Sequence, residues 1–175
     1  LEEAGYPQGR GIAPIEIWTV SKAESVQREL REYKGYLAEI GIKLVPRVAK
    51  NWSEFIKFIN EKKAPLYYAA WYADYPDPDN FLYVLCHSKS KTNRMGYKNP
   101  RVDKLLEDAR RETDYMKRVD LYREVQKVVM LEAPLICQHV NSFNYLFQPW
   151  VKGVKVSYLG AAYVQFEKIW IEKSR

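Results

Sequence analysis

Residues 71–81, WYADYPDPDNF, set three carboxylates, Asp74, Asp77 and Asp79, among two prolines and the rings of Trp71, Tyr72 and Tyr75. Asp and Pro interrupt helices and strands alike, so an element running through PLYYAAW must stop here. A carboxylate on such a turn can cap the next helix, bind a cation, or face water. Asp77 stands directly before Pro78, the arrangement of a cap and a first helical residue. Asp74 is then left for another use. Partly withdrawn from water, it would incur a desolvation cost that a positive group would offset. A ligand ammonium could supply that group through a charge-assisted hydrogen bond, and so could a lysine or arginine of the chain. The residues alone leave both open.

Other chemistry is thinly represented. The sequence carries no G-x-S-x-G, H-E-x-x-H, P-loop or Rossmann fingerprint, and with them go the reactions those motifs serve. Glycoside hydrolysis would need Asp74 to converge with Asp77 or Asp79, which the intervening prolines oppose. Cys86 adjoins His87, and Cys137 lies two before His139, but neighbours in sequence rarely aim at one metal. No metal and no cofactor are expected. The cysteines read as packing thiols, and a disulfide between them stays open. A net charge of +6 over 175 residues would admit an anionic partner. The basic residues, however, are interleaved with acids in RELREYK, EKK and EDARRETD, as on solvated helix faces. Nucleic acid is therefore not an expected partner.

The elements that carry Asp74 follow from hydrophobic spacing. IEIWTV, residues 15–20, alternates as a half-buried strand. Val26, Leu30, Tyr33, Leu37 and Ile40 recur at steps of three and four, a helix face that Gly41 ends. KLVPRV is a second strand, which Pro46 assigns to a sheet edge or a bulge. Asn51 or Ser53 caps a helix with Phe55, Ile56, Phe58 and Ile59 on its apolar side. PLYYAAW is a third strand, apolar enough to be buried on both faces. The β-α-β-α-β order predicts an α/β fold, a mixed or parallel sheet flanked by helices. Ligands of open α/β sheets sit beyond the carboxyl ends of the strands, where Asp74 falls. Downstream, a short helix runs from Pro78 to Leu85. Asn99-Pro100 opens another, with Val102, Leu105, Leu106 and Ala109 inward. Thr113 or Asp114 opens a longer one, with Val119, Tyr122, Val125, Val128 and Val129 inward. PLICQHV reads as a strand, and NYLF, VKVSYL and YVQFEKIWI as short β pieces.

Five stretches resemble the family 5 extracellular solute-binding proteins, the peptide, dipeptide and nickel receptors of ABC importers. AGYPQG resembles the family's AGYP-x-G, and ADYPDPDNFL its ADYxDPxxFL loop. GYKNPRVDKLLEDAR, RVDLYREVQKVVMLEAPLI and PWVKGV resemble three later segments, in family order over nearly the whole chain. The resemblance implies the C-terminal lobe of a two-lobed periplasmic-binding-protein fold that closes on its ligand like a hinge. It implies that residues 1–140 belong to that lobe. Residues 141–175 would be a tail returning to an N-terminal lobe absent from this chain, along with the secretion signal or lipid anchor. The expected setting is periplasmic or extracellular, with the membrane subunits of an ABC importer as partners and no catalysis. Such a fragment would expose apolar surface.

By the same resemblance, Asp74 holds the α-ammonium of a peptide. Trp71, Tyr72 and Ala73 add contacts beside it, and Trp52 lines the pocket. Gln138 and His139 join from PLICQHV. The peptide would bind as an added strand. Two departures stand out. Basic residues that hold the peptide carboxylate in some relatives are replaced by Ile59 and Tyr68. The local disulfide of dipeptide receptors would pair Cys86 with a position near Met95 and Gly96, so it is missing. An oligosaccharide, haem or nickel chelate is the alternative ligand within the family. A sugar would stack on Trp52, Trp71 and Tyr72 and have less use for Asp74.

Overall fold

The computed structural model describes residues 1–140, 142, 144–157, 159 and 164–172. The chain divides into two compact units, Leu1–Ala70 and Trp71–Arg175. The first runs β1 (Ile15–Thr19), α1 (Glu24–Glu39), β2 (Leu44–Val48), α2 (Trp52–Asn60) and β3 (Leu66–Tyr67). The strand order is β2-β1-β3, and both pairings are parallel. Parallel neighbours need a crossover between them, and the helices supply it. On α1, Leu30 is buried at the centre of the expected apolar face. Gly41 ends the turn after α1 with φ +80°, and a Cβ there would lie 1.8 Å from the carbonyl oxygen of Gln8. Only glycine can occupy that position. Pro46 falls in an outer strand, as its missing N–H requires. Asn51 caps α2 by accepting the Glu54 N–H at 3.0 Å. Phe55 and Ile59 of α2 and Ala49 form the core of this unit, with Trp18, Val20 and Tyr67 packed on it.

β3 is shorter and less covered than its apolar run predicts. Only Leu66–Tyr67 pair with β1, extended by one bond from the Tyr68 N–H to the Trp18 carbonyl at 2.8 Å. Leu66, Ala69 and Ala70 are exposed. Among the described residues β3 is an outermost strand, paired on one side only, and apolar composition does not by itself supply cover for its faces.

The second unit is helical: α3 (Asp79–Cys86), α4 (Pro100–Arg111) and α5 (Tyr115–Glu132). Asn99 accepts from the N–H groups of Arg101 and Val102, and Asp114 from that of Lys117, so both longer helices start where the caps predict. Val102, Leu106 and Ala109 of α4 meet Tyr122, Val125 and Val129 of α5, with Cys86 of α3 beneath them. Each fully buried aliphatic side chain contributes about 1.5–3 kcal/mol, which is what orders these helices around one another. PLICQHV is not a strand. Residues 134–140 have no regular structure, and no strand among the described residues pairs with them. Apolar sequence cannot make a strand without a partner backbone. NYLF is irregular as well. The observed ladder joins β4 (Val151–Lys152) to β5 (Trp170–Ile171), antiparallel. Tyr158 and Tyr163, in the other two expected β pieces, lie outside the described residues. Both cysteines are free, and only Cys86 is a packing thiol, since Cys137 is exposed. Burial, and secondarily the charge of Cys137, push the Cys86 thiol up to about 11.

Candidate functional site

The 71–81 loop is tied down residue by residue. Asp77 Oδ1 accepts the Asp79 N–H at 2.9 Å, but the cap position of α3 falls on Pro78, which has no side-chain cap bond. The helix itself begins one residue later than expected, at Asp79. Arg118 of α5 donates to both Asp77 oxygens, at 2.7 and 2.8 Å. Arg110 of α4 does the same to Asp79, at 2.6 and 2.8 Å, and the Tyr75 hydroxyl adds a bond at 2.7 Å. Bidentate forks of this kind are the strongest carboxylate contacts a side chain makes. The Arg110 guanidinium also lies 3.2 Å over the Tyr83 ring, which stacks on His87 at 4.3 Å. Hydrogen bonds from Arg118 hold the Asp77 carboxyl below its ordinary range. Burial pushes Asp79 the other way, but the bonds from Arg110 and Tyr75 outweigh it and the net displacement is downward. A carboxyl held low is the reverse of what a general acid needs at neutral pH, so neither Asp77 nor Asp79 suits that role.

Asp74 has a different setting. It is exposed, so the expectation that it is partly withdrawn from water does not hold in this chain. Its backbone N–H donates to Asn80 Oδ1 at 3.0 Å, and Asn80 Nδ2 donates to Asp74 Oδ2 at 3.4 Å. The Trp71 indole N–H donates to the same Asn80 Oδ1 at 3.2 Å. One amide therefore ties Trp71 and Asp74 together. Tyr72 is exposed and Ala73 half-buried.

Trp52 opens α2 in the first unit, just past the carboxyl end of β2. It is 55% exposed, which removes it from the core, and its ring tilts against Phe55 at 5.5 Å. Gln138 and His139 are exposed on the irregular stretch after α5. Ile59 is buried in the core of the first unit, and the Tyr68 hydroxyl donates to Glu29 at 2.8 Å. Sequence reading missed Asn80, Arg110 and Arg118. The signal for Asn80 was local, an amide side chain right after Asp77-Pro78-Asp79. The arginines gave none, being 31 and 41 positions from their acids. Among the described residues no group of three His, Cys, Asp or Glu is disposed to hold a metal, and no helix is long and apolar enough to cross a membrane.

The parallel α/β architecture is that of the two-lobed periplasmic binding proteins. The structure of the periplasmic binding protein DppA from Helicobacter pylori, in complex with the peptide STSA, superposes with a TM-score of 0.74 at 26% identity, over 99% of this chain and 33% of that one. Residues 1–93 match the bacterial extracellular solute-binding proteins, family 5 middle, and the chain belongs to that family. It is 30% identical over 162 residues to probable di/tripeptide-binding protein 5 of Pseudomonas aeruginosa, covering 87% of this chain and 30% of that protein. It is 32% identical over 167 residues to heme-binding protein A of Haemophilus influenzae, covering 91% of this chain and 30% of that protein. The chain thus spans about a third or less of the length of these three proteins.

Proposed function

We propose that this chain is the C-terminal part of an extracytoplasmic receptor that binds oligopeptides or dipeptides and delivers them to an ABC importer without chemical change. Asp74 grips the peptide's α-ammonium. Trp71, Tyr72 and Ala73 contact the first residues, and Gln138 and His139 lie along the remainder. Residues 141–175 return to the N-terminal lobe, whose surface covers the apolar side chains that this chain leaves exposed.

The observation that carries the reading is that Asp74 stands exposed on the loop, its carboxylate and its backbone N–H both bonded to the Asn80 amide, which also holds the Trp71 indole. The names of the peptide-binding relatives support the ligand class. Calorimetry on the full-length protein tests it. A charge-assisted hydrogen bond contributes about 1.5–3 kcal/mol, so Asp74→Ala is expected to weaken tripeptide binding by roughly 10- to 150-fold. Affinity unchanged by that substitution would sink the ammonium anchor.

A second reading, haem, draws on the 32% identity to heme-binding protein A. Exposed Tyr72 and half-buried Trp71 would then offer ring faces to a porphyrin. A shifted Soret band on titration with haemin, unaffected by excess tripeptide, would favour it.

A further inference from the structure

Asn80 is among the most deeply buried polar residues described, 2% exposed, yet its side chain serves the exposed rim of the loop. Two N–H groups, the Trp71 indole and the Asp74 backbone, converge on one of its terminal atoms, which must therefore be the oxygen. That fixes the other terminal atom as the nitrogen, which faces Asp74 Oδ2 at 3.4 Å. The amide cannot flip without setting donor against donor at two places. Its own backbone is anchored too: the Asn80 N–H donates to the Asp77 carbonyl at 3.1 Å, and Arg110 and Arg118 clamp the flanking acids Asp79 and Asp77.

We infer that Asn80 is the positioning residue of the amine site: its buried amide sets the direction in which Asp74 presents its carboxylate and fixes the Trp71 ring beside it. Asn80 itself does not touch the ligand. The specificity it confers is for a primary ammonium over a blocked amine, because an ammonium rewards a carboxylate held in one orientation and an acetamide does not. This inference rests on the proposed function.

The experiment uses the full-length protein, a tripeptide library with free amino termini and the same library N-acetylated, with retained peptides counted by mass spectrometry. The wild type is expected to prefer the free-amine form. Asn80→Asp keeps the size and the acceptor but replaces the donor to Asp74 with a second carboxylate oxygen. It is expected to lower the free-amine to acetylated retention ratio tenfold or more. Asn80→Ala adds no charge to a buried position and gives the same readout should Asn80→Asp fail to fold. A merely structural role would weaken both libraries alike, so a parallel fall with the ratio kept overturns the inference. A ratio within twofold of wild type in the folded variants overturns it too, and leaves the proposed function standing. Equal retention of both libraries by the wild type, or retention of neither, overturns the proposed function and this inference with it.

Discussion

Two stretches of the second unit invert the usual relation between polarity and burial. The 71–80 loop holds three acids, and Arg110, Arg118, Tyr75 and Asn80 bond to them. The stretch after α5 is apolar, yet Ile136 is 84%, Val140 96% and Leu146 98% exposed. Asp77 and Asp79 are thus held by groups of their own unit before any ligand arrives. An apolar stretch left exposed among the described residues answers to something beyond them.

The sharpest way to break this comparison is to cut a fork. Arg110→Ala leaves the Asp79 carboxylate, 8% exposed, without its guanidinium. Losing one partner of a largely buried pair costs about 2–3 kcal/mol once the partial exposure of Arg110 is allowed for. Urea unfolding should register it, and a cost under about 0.5 kcal/mol, the range of featureless surface changes, would mean the loop is not internally held.

Acid should produce a smaller effect of the same origin. Asp77 and Asp79 sit below their ordinary value of 3.8 in the folded state. A carboxyl lowered by folding stabilises fully well above its unfolded value, and the gain disappears as pH falls through the folded value. The wild-type urea midpoint should therefore hold from about pH 7 to 5 and drop below about pH 4. Arg110→Ala should show a shallower drop, and parallel pH profiles would refute the linkage.

The smallest effect belongs to the other side of the comparison. Leu146→Ser in this chain should change stability by less than about 0.5 kcal/mol, since almost nothing covers the side chain. The same substitution in the full-length protein should cost more, and equal small costs in both would argue against a covering lobe.

How much of this could be read beforehand depends on the range of the interaction. The caps at Asn51, Asn99 and Asp114 were legible because donor and acceptor lie within three residues. The α4 and α5 faces were legible because helical periodicity is local, whereas of the face expected on α1 only Leu30 is buried and Ile40, past the helix end, is 48% exposed. The exposure of β3 was not, since apolar composition does not by itself supply cover for its faces. PLICQHV was misread for a related reason: its composition suits a strand, but pairing is a property of two segments. At the site, Asp74 and Trp71 were visible as chemistry at the end of an apolar run. The arginines that immobilise the neighbouring acids were invisible, because nothing in residues 110 or 118 names a partner so far upstream.

Pro46 carries one more consequence. It occupies an outer strand of the β2-β1-β3 sheet and has no N–H to offer. A foreign backbone arriving on that flank would find a gap in the row of donors it needs, so the sheet is protected there against unwanted growth. Extension is left to the opposite flank, where two residues of β3 are all that an incoming chain could use as a template.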